Sequence, residues 1–322
     1  MSFLSALRGL FRPVFRPLPI EAPEGIFMRL SFALLANAML FGVAFHFDSQ
    51  PQPTGLAHYV DLTFLARPQV MLGLKVAFGL FSLGYIFGHV LALVLPLMTL
   101  IHVVVFTFNN SQGFTHHGNQ IVSLILLAQS LVALFFLAHR RIKHRPFPLR
   151  SGKSRDSYLI YYSQVVIAGV YLTSVVSKMD ESKFQWVQNL PNISVQLVKT
   201  HRQEYYSNPL TAKVAPSAQV PAATWMSEHP IACRALLGCG LLLEALMFLS
   251  LANRGWALVL GLALIAMHQS IAWLMRLYFD LNVWAALIFL INLPFWVIWC
   301  WRHHRDARDA APALPRSERL RF

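Results

Sequence analysis

The chain has 322 residues, of which 56% are hydrophobic and 13% are charged, and its mean hydropathy is +0.50. A soluble globule of this length needs more polar surface, so the composition predicts an all-α, polytopic integral membrane helix bundle with the lipid bilayer as its partner. The net charge of +13 lies in short segments between apolar runs, which is typical of cytoplasmic loops and argues against nucleic acid as a partner.

In chain order, a basic leader (residues 1–25) precedes the first apolar segment, and a basic tail (302–322) follows the last one. The stretch 70–108 is too long for one membrane-spanning helix and is predicted to form two, joined by a turn between Gly84 and Gly88. The count is therefore eight transmembrane helices, and together they form one bundle over residues 26–301. The predicted spans are 26–45, two within 70–108, 118–137, 158–178, 232–251, 256–275 and 281–301.

The distribution of charge supports this count independently. Residues 139–157 contain seven Lys and Arg against one acid, and the tail contains six Arg against three acids. The leader is basic too, and all three segments share one side of the membrane only if an even number of spans separates them. We therefore expect cytoplasmic N- and C-termini, an outer loop over residues 179–231, and a bacterial inner membrane as the location.

Several ionisable or strongly polar side chains interrupt the apolar segments. A charge at the bilayer centre costs at least about 2.5 kcal/mol, so such groups face a partner or a polar cavity. One interpretation is structural: Lys75 and Glu244 neutralise each other and the histidines bond to neighbouring helices. The other is a functional polar cavity inside the bundle. The residues concerned are Lys75, His89, His102, Glu244, His268 and Gln269.

Lys178 ends the apolar helix 158–178 and is followed at once by Asp180 and Glu181. A lysine near the end of a span can extend its ammonium to the membrane surface. Alternatively, it can be held in a desolvated site, where an amine loses its proton at moderate pH, as a catalytic base must. The sequence alone leaves both interpretations open.

The turn before the fourth predicted span reads NNSQGFTHHGNQ and contains the adjacent histidines His116 and His117. Histidines at a helix N-terminus meet the positive end of the helix dipole, which favours the neutral imidazole and makes one of them a candidate base. The alternative is a solvated turn with a helix cap at Thr115. Adjacent histidines without an i, i+4 partner argue against a metal site, and no HExxH sequence is present.

Three segments carry a resemblance to a known family. IAGVYLTSVVSKMD, followed by Trp186, resembles the part of vitamin K-dependent gamma-carboxylase in which a helix ends in a Lys-hydrophobic-Asp triplet before a tryptophan. HHGNQIVSLILL is similar to that family's Asn-Asn-His turn and next helix. The segment from LLLEALMF to AALIFL resembles the family's later helices, with His268 where a helix-borne histidine is expected. Together they cover most of residues 26–300, a region that resembles the HTTM (horizontally transferred transmembrane) domain.

The resemblance implies a chemistry. In the carboxylase, a lysine deprotonates vitamin K hydroquinone, oxygen converts the quinol to an epoxide, and the base so formed takes a glutamate proton before carbon dioxide adds. Lys178 matches that lysine, and His117 matches the histidine that supports the later step. The histidine motif departs from the family's here, so His116 and His117 cannot be told apart. The family's large soluble domain does not follow the eighth span, which puts glutamate carboxylation itself in doubt.

We therefore expect a membrane enzyme that uses vitamin K hydroquinone or another quinol, with oxygen and carbon dioxide as co-substrates if it carboxylates, to modify a secreted peptide or protein. The alternative is a non-enzymatic transporter or accessory protein with a polar intramembrane cavity. A quinone-binding redox module is disfavoured because no haem, flavin or iron–sulfur motif is present. The candidate catalytic residues are Lys178, His117, His116 and His268, and the candidate cofactor-binding residues are Asn110, Trp186, Glu244 and Gln269.

Overall fold

The computed structural model describes residues 11–43, 55–111, 118–149, 153–207 and 220–309. Within these ranges the regular structure is entirely helical. The helices are α1 (Ala22–Gly42), α2 (Pro68–Ile86), α3 (Leu91–Ser111), α4 (Asn119–Lys143), α5 (Arg155–Glu181), α6 (Ile193–Ser207), α7 (Pro221–Glu228), α8 (Pro230–Leu246), α9 (Arg254–Met275), α10 (Asp280–Ala285) and α11 (Leu293–Asp309).

Eight helical segments of the described chain are long and apolar enough to span a membrane, which confirms the predicted fold class and the predicted number of spans. Large apolar side chains cover the outside of these helices. Leu34, Leu80, Leu131 and Val176, for example, are each more than half exposed. A protein in water would bury such a surface, whereas lipid solvates it.

The predicted break within residues 70–108 is present. α2 ends at Ile86 and α3 begins at Leu91, and the turn between them contains Gly88 at a φ of +72°. Most other residues are strained in this left-handed region, so glycine is the natural choice for the turn. The amide of His89 bonds back to the carbonyl of Gly84 at 2.9 Å, which closes the end of α2.

The first helix begins earlier than the sequence indicated. α1 starts at Ala22 rather than near Ile26, and Glu24 and Gly25 are already buried. Glu24 accounts for the difference, because its carboxylate accepts the backbone N–H of Glu21 at 2.9 Å and so helps to cap the helix. The last four residues of the predicted leader therefore belong to the bundle.

The eighth span is not one continuous helix. α10 is followed by a π-helical turn over Ala286–Ile291 and by Asn292 in the left-handed conformation, after which α11 begins. Pro294 explains the break, because it has no N–H to continue the ladder of hydrogen bonds from the preceding turn. The carbonyl of Phe289, within this irregular segment, accepts a hydrogen bond from Gln164 of α5 at 2.8 Å.

The segment 179–231 contains more structure than a loop. It includes α6 and α7, whose apolar side chains form a small cluster with the start of α8, separate from the core of the bundle. The main core joins the two ends of the chain: the ring of Phe32 in α1 contacts Tyr85 in α2 and Phe289 in the π turn, at centroid distances of 6.4 and 5.2 Å.

Candidate functional site

Polar side chains form one stripe along α5. Tyr171, Ser174 and Lys178 are separated by three and four residues, so they lie on the same face of the helix. Glu244 of α8, His268 of α9 and Asn282 of α10 contact this stripe. Four separate helices therefore supply polar groups to one region of the bundle.

Lys178 forms an ion pair with Glu244. Its Nζ atom lies 2.7 Å from Oε1 and 2.5 Å from Oε2 of the carboxylate, and the two side chains are 28% and 9% exposed. Two opposite charges at this separation compensate each other, which is how charged groups are retained inside a bundle. The partial exposure of Lys178 leaves one side of the pair open to an approaching molecule.

The ion pair lies on the membrane side of Lys178, not at the end of the helix. Ser174, one turn earlier, donates to the same carboxylate at 3.4 Å, so Glu244 spans the turn before Lys178. Side chains of a helix lean toward its N-terminus, and the ammonium follows that direction. A snorkelling lysine would instead extend toward the end of α5. The side chain of Lys178 is therefore directed back along α5 and not toward the end of the helix.

A second polar group lies two turns back along α5. The hydroxyl of Tyr171 is 2.6 Å from Nε2 of His268, and the amide of Asn282 donates to the same hydroxyl at 3.0 Å. All three residues are buried. Because the phenol oxygen already accepts from Asn282, its own proton is available for Nε2, and the neutral imidazole then carries its proton on Nδ1.

Two atoms of this group have no protein partner in the described part of the chain. They are Nδ1 of His268 and Oδ1 of Asn282, and both are buried. A buried polar atom without a hydrogen bond is costly, so these positions are suited to a bound molecule with a hydroxyl or carbonyl group, or to water. The site therefore has unused hydrogen-bonding capacity.

The two polar groups lie on one face of α5, about two helical turns apart. Aromatic rings flank both: Trp186 lies 5.1 Å from the Lys178 ammonium, and Phe279 stacks on His268 at 4.8 Å. Flat, apolar walls beside hydrogen-bonding groups are typical of sites for ring-shaped ligands.

Four of the predicted site residues thus occupy one region: Lys178, Glu244, Trp186 and His268. Gln269 follows His268 in α9 but is exposed. Asn110, at the end of α3, lines a different cavity of about 230 Å³ between α3 and α4. His116 and His117 lie outside the described residues, so their predicted role stays a prediction.

The other polar residues singled out within the apolar segments have separate positions. The predicted pairing of Lys75 with Glu244 is wrong, because Glu244 is bound to Lys178. Lys75 instead donates to the carbonyls of Phe41 and Val43 at the end of α1, at 3.3 and 2.5 Å, where a helix leaves carbonyls unpaired. His102 bonds to Ser123 at 2.8 Å, and His89 is exposed in the turn after α2.

Sequence reasoning missed Tyr171, Ser174 and Asn282. The sequence did contain a signal for Tyr171 and Ser174, because their spacing from Lys178 places all three on one face of the helix. Serine and tyrosine are, however, common in apolar helices, where they usually serve only to pack neighbouring helices together. Asn282 gave no comparable signal, since its role depends on how α10 meets α5.

Comparison with protein-family models, with curated proteins and with solved structures found no match to this chain. The function therefore has to be argued from the site itself.

Proposed function

We propose that this chain is an integral membrane enzyme in which Lys178 and Glu244 act as a coupled acid–base pair on a lipid-soluble hydroxylated substrate or cofactor. The observation that carries the proposal is the position of the amine: it faces into the bundle, is paired with a carboxylate, and is partly open on one side.

The pair provides a route for a proton. Transfer of one proton from the Lys178 ammonium to Glu244 yields a neutral amine and a neutral carboxylic acid, with no net charge left in the bundle. The amine can then take a proton from a bound hydroxyl at hydrogen-bonding distance, and the ammonium it becomes stabilises the new oxyanion. His268 can donate its Nδ1 proton to a second oxygen of the same molecule.

A quinol such as vitamin K hydroquinone carries the chemical groups that these residues could bind. It has two hydroxyls for the Lys178 amine and for Nδ1 of His268, and a flat ring for the aromatic side chains Trp186 and Phe279. When bound, a quinol supplies a hydroxyl acidic enough to be deprotonated and a ring that oxygen can oxidise. Carbon dioxide is a further co-substrate if a secreted peptide or protein is carboxylated.

The test is oxygen-dependent consumption of vitamin K hydroquinone by the full chain in proteoliposomes. Lys178→Ala is expected to lower the rate at least about a hundredfold, the contribution of a positioned general base. Lys183→Ala is the matched control, because Lys183 is exposed and lies five residues further along the same segment. An unchanged rate with Lys178→Ala would remove the proposal.

The alternative, a non-enzymatic accessory protein, is favoured by one observation: the Lys178–Glu244 pair joins α5 to α8, and α8 also packs against the small cluster of α6 and α7. The pair would then hold a partner-binding segment in place. A transporter would need a polar path across the bundle, and the separate partners of Lys75 and Glu244 argue against a path that joins these two residues.

A further inference from the structure

A second polar recess lies at the end of the bundle where α1, α5 and α9 begin. It has a volume of about 30 Å³, room for one or two groups the size of a water molecule. Four side chains that line it each have a polar atom that is buried without a hydrogen-bond partner in the described ranges. These atoms are Oγ of Ser250, Nδ2 of Asn253, Oδ1 of Asn292 and Nε1 of Trp296.

The hydrogen-bonding character of the recess is fixed by its surroundings. Oδ1 of Asn253 accepts the backbone N–H of Trp256 at 2.9 Å, which leaves its NH₂ group for the recess. Nδ2 of Asn292 donates to Glu24 at 2.6 Å, which leaves its carbonyl oxygen. With the indole N–H of Trp296, the recess offers two donors, one acceptor and the adaptable hydroxyl of Ser250.

This set matches a hydroxyl group. One hydroxyl can accept from Asn253 and Trp296 and donate to Asn292, which satisfies three of the four atoms. Ser250, Asn253 and Asn292 are each more than nine-tenths buried. Asn292 also holds a left-handed conformation after a π turn, an irregularity that is frequent at functional sites.

A larger cavity of about 480 Å³ adjoins the recess and shares Ile20, Arg254 and Phe295 with it. Three arginines and two glutamates line the two spaces. Arg254 and Arg302 are paired with Glu24 and Glu21, so Arg16, which is exposed beside the recess, supplies the excess positive charge. The combined site therefore favours a ligand with one negative charge and a hydroxyl next to it.

We propose that this site binds the headgroup of an anionic phospholipid that has free hydroxyls beyond its phosphodiester, as phosphatidylglycerol does. The hydroxyl enters the recess, and the phosphate lies in the larger cavity near Arg16. Basic pockets between membrane helices commonly bind anionic lipid headgroups, and this one lies where the apolar spans α1 and α9 begin, the part of a spanning helix that is expected to meet the headgroups. The recess adds selectivity for the hydroxyl.

The test is native mass spectrometry of the delipidated full chain with equimolar phosphatidylglycerol, phosphatidic acid and phosphatidylcholine of the same acyl chains. Phosphatidylglycerol is expected to bind in preference to both others. The double variant Ser250→Ala/Trp296→Phe removes two polar atoms and, because phenylalanine is smaller than tryptophan, leaves more room for the hydroxyl, so that weaker binding reports the lost hydrogen bonds. It is expected to lower phosphatidylglycerol binding about tenfold, to the level of phosphatidic acid. Arg16→Gln is expected to weaken both anionic lipids.

The matched control is Ser270→Ala/Trp273→Phe, the same two replacements at exposed positions of α9 away from the recess, and it is expected to bind as the parent does. Equal binding of phosphatidylglycerol and phosphatidic acid by the parent would overturn the proposal. It would also be overturned if the double variant Ser250→Ala/Trp296→Phe unfolds at the parent's temperature and binds phosphatidylglycerol as strongly as the parent does. Loss of the lipid in millimolar glycerol phosphate would identify a soluble polyol phosphate as the ligand and overturn the lipid assignment.

Discussion

At the scale of single residues, the most informative side chain is Lys178. It lies near the end of a span, where extending its ammonium to water would be easy, yet it is held against Glu244 and beside Trp186. An ion pair in such a place costs desolvation of both charges, and its hydrogen bonds offset that cost only while both partners are present.

The first prediction concerns the stability that Lys178 and Glu244 provide only when both are present. Glu244→Gln leaves the ammonium without a charged partner and is expected to destabilise the folded protein by about 2 to 4 kcal/mol; the partial exposure of Lys178 moderates the loss. Lys178→Met/Glu244→Leu, which removes both charges, is expected to recover most of it. The free energies of unfolding of the parent and both variants can be measured with denaturant in detergent. A double variant as unstable as Glu244→Gln would contradict this account.

At the scale of helices, a buried carboxylate joins three of them. Glu24 at the start of α1 accepts from Arg254 of α9 at 2.5 Å and from Asn292, just before α11, at 2.6 Å. It is 1% exposed. The guanidinium of Arg254 in turn stacks on Phe295 at 3.8 Å. One side chain near the N-terminus thereby fixes the position of the last span.

The second prediction compares two glutamates in this helix start. Glu24→Gln is expected to destabilise the fold by about 3 kcal/mol, because it leaves Arg254, whose side chain is only 15% exposed, without its counter-charge. Glu21→Gln breaks the exposed pair with Arg302 and is expected to cost less than about 1 kcal/mol. Equal effects of the two replacements in the same unfolding assay would show that burial does not decide the strength of these pairs.

The third prediction concerns the turn between α2 and α3. Gly88→Ala forces an alanine into a φ of +72° and is expected to destabilise the protein by about 1 kcal/mol. Gly73, inside α2, has nothing within 4 Å of the site of a new Cβ, so Gly73→Ala is expected to be neutral or stabilising. If the two replacements lower the unfolding midpoint equally, the backbone argument is wrong.

At the scale of the whole molecule, the apolar runs were enough to predict the eight spans and the break near Gly88, because span length and charge parity are properties of the sequence itself. The partner of Glu244 could not be predicted from the sequence, because Lys75 and Lys178 are both lysines of apolar segments and only the packing of α5 against α8 brings one of them to Glu244. The π turn had a readable signal in Pro294, whereas the contact between Asn282 and Tyr171 had none.

The fourth prediction concerns orientation. If the basic segments are cytoplasmic, single cysteines placed at Lys153 and Arg305 of a chain whose native cysteines are replaced should react with a membrane-impermeable maleimide only after the membrane is opened. A cysteine at Glu228, the last residue of α7, should react in intact cells. Labelling of all three from the same side would contradict the predicted topology.

The central claim is that Lys178 works as a base and not only as a structural charge, and Lys178→Arg tests it most directly. Arginine keeps the positive charge and the pairing with Glu244 but does not lose a proton in proteins. In proteoliposomes supplied with vitamin K hydroquinone and oxygen, Lys178→Arg should fold, unfold at close to the parent's midpoint and consume the quinol at least about a hundredfold more slowly, while Lys183→Arg keeps the parent's rate. Consumption at the parent's rate by Lys178→Arg would contradict the claim.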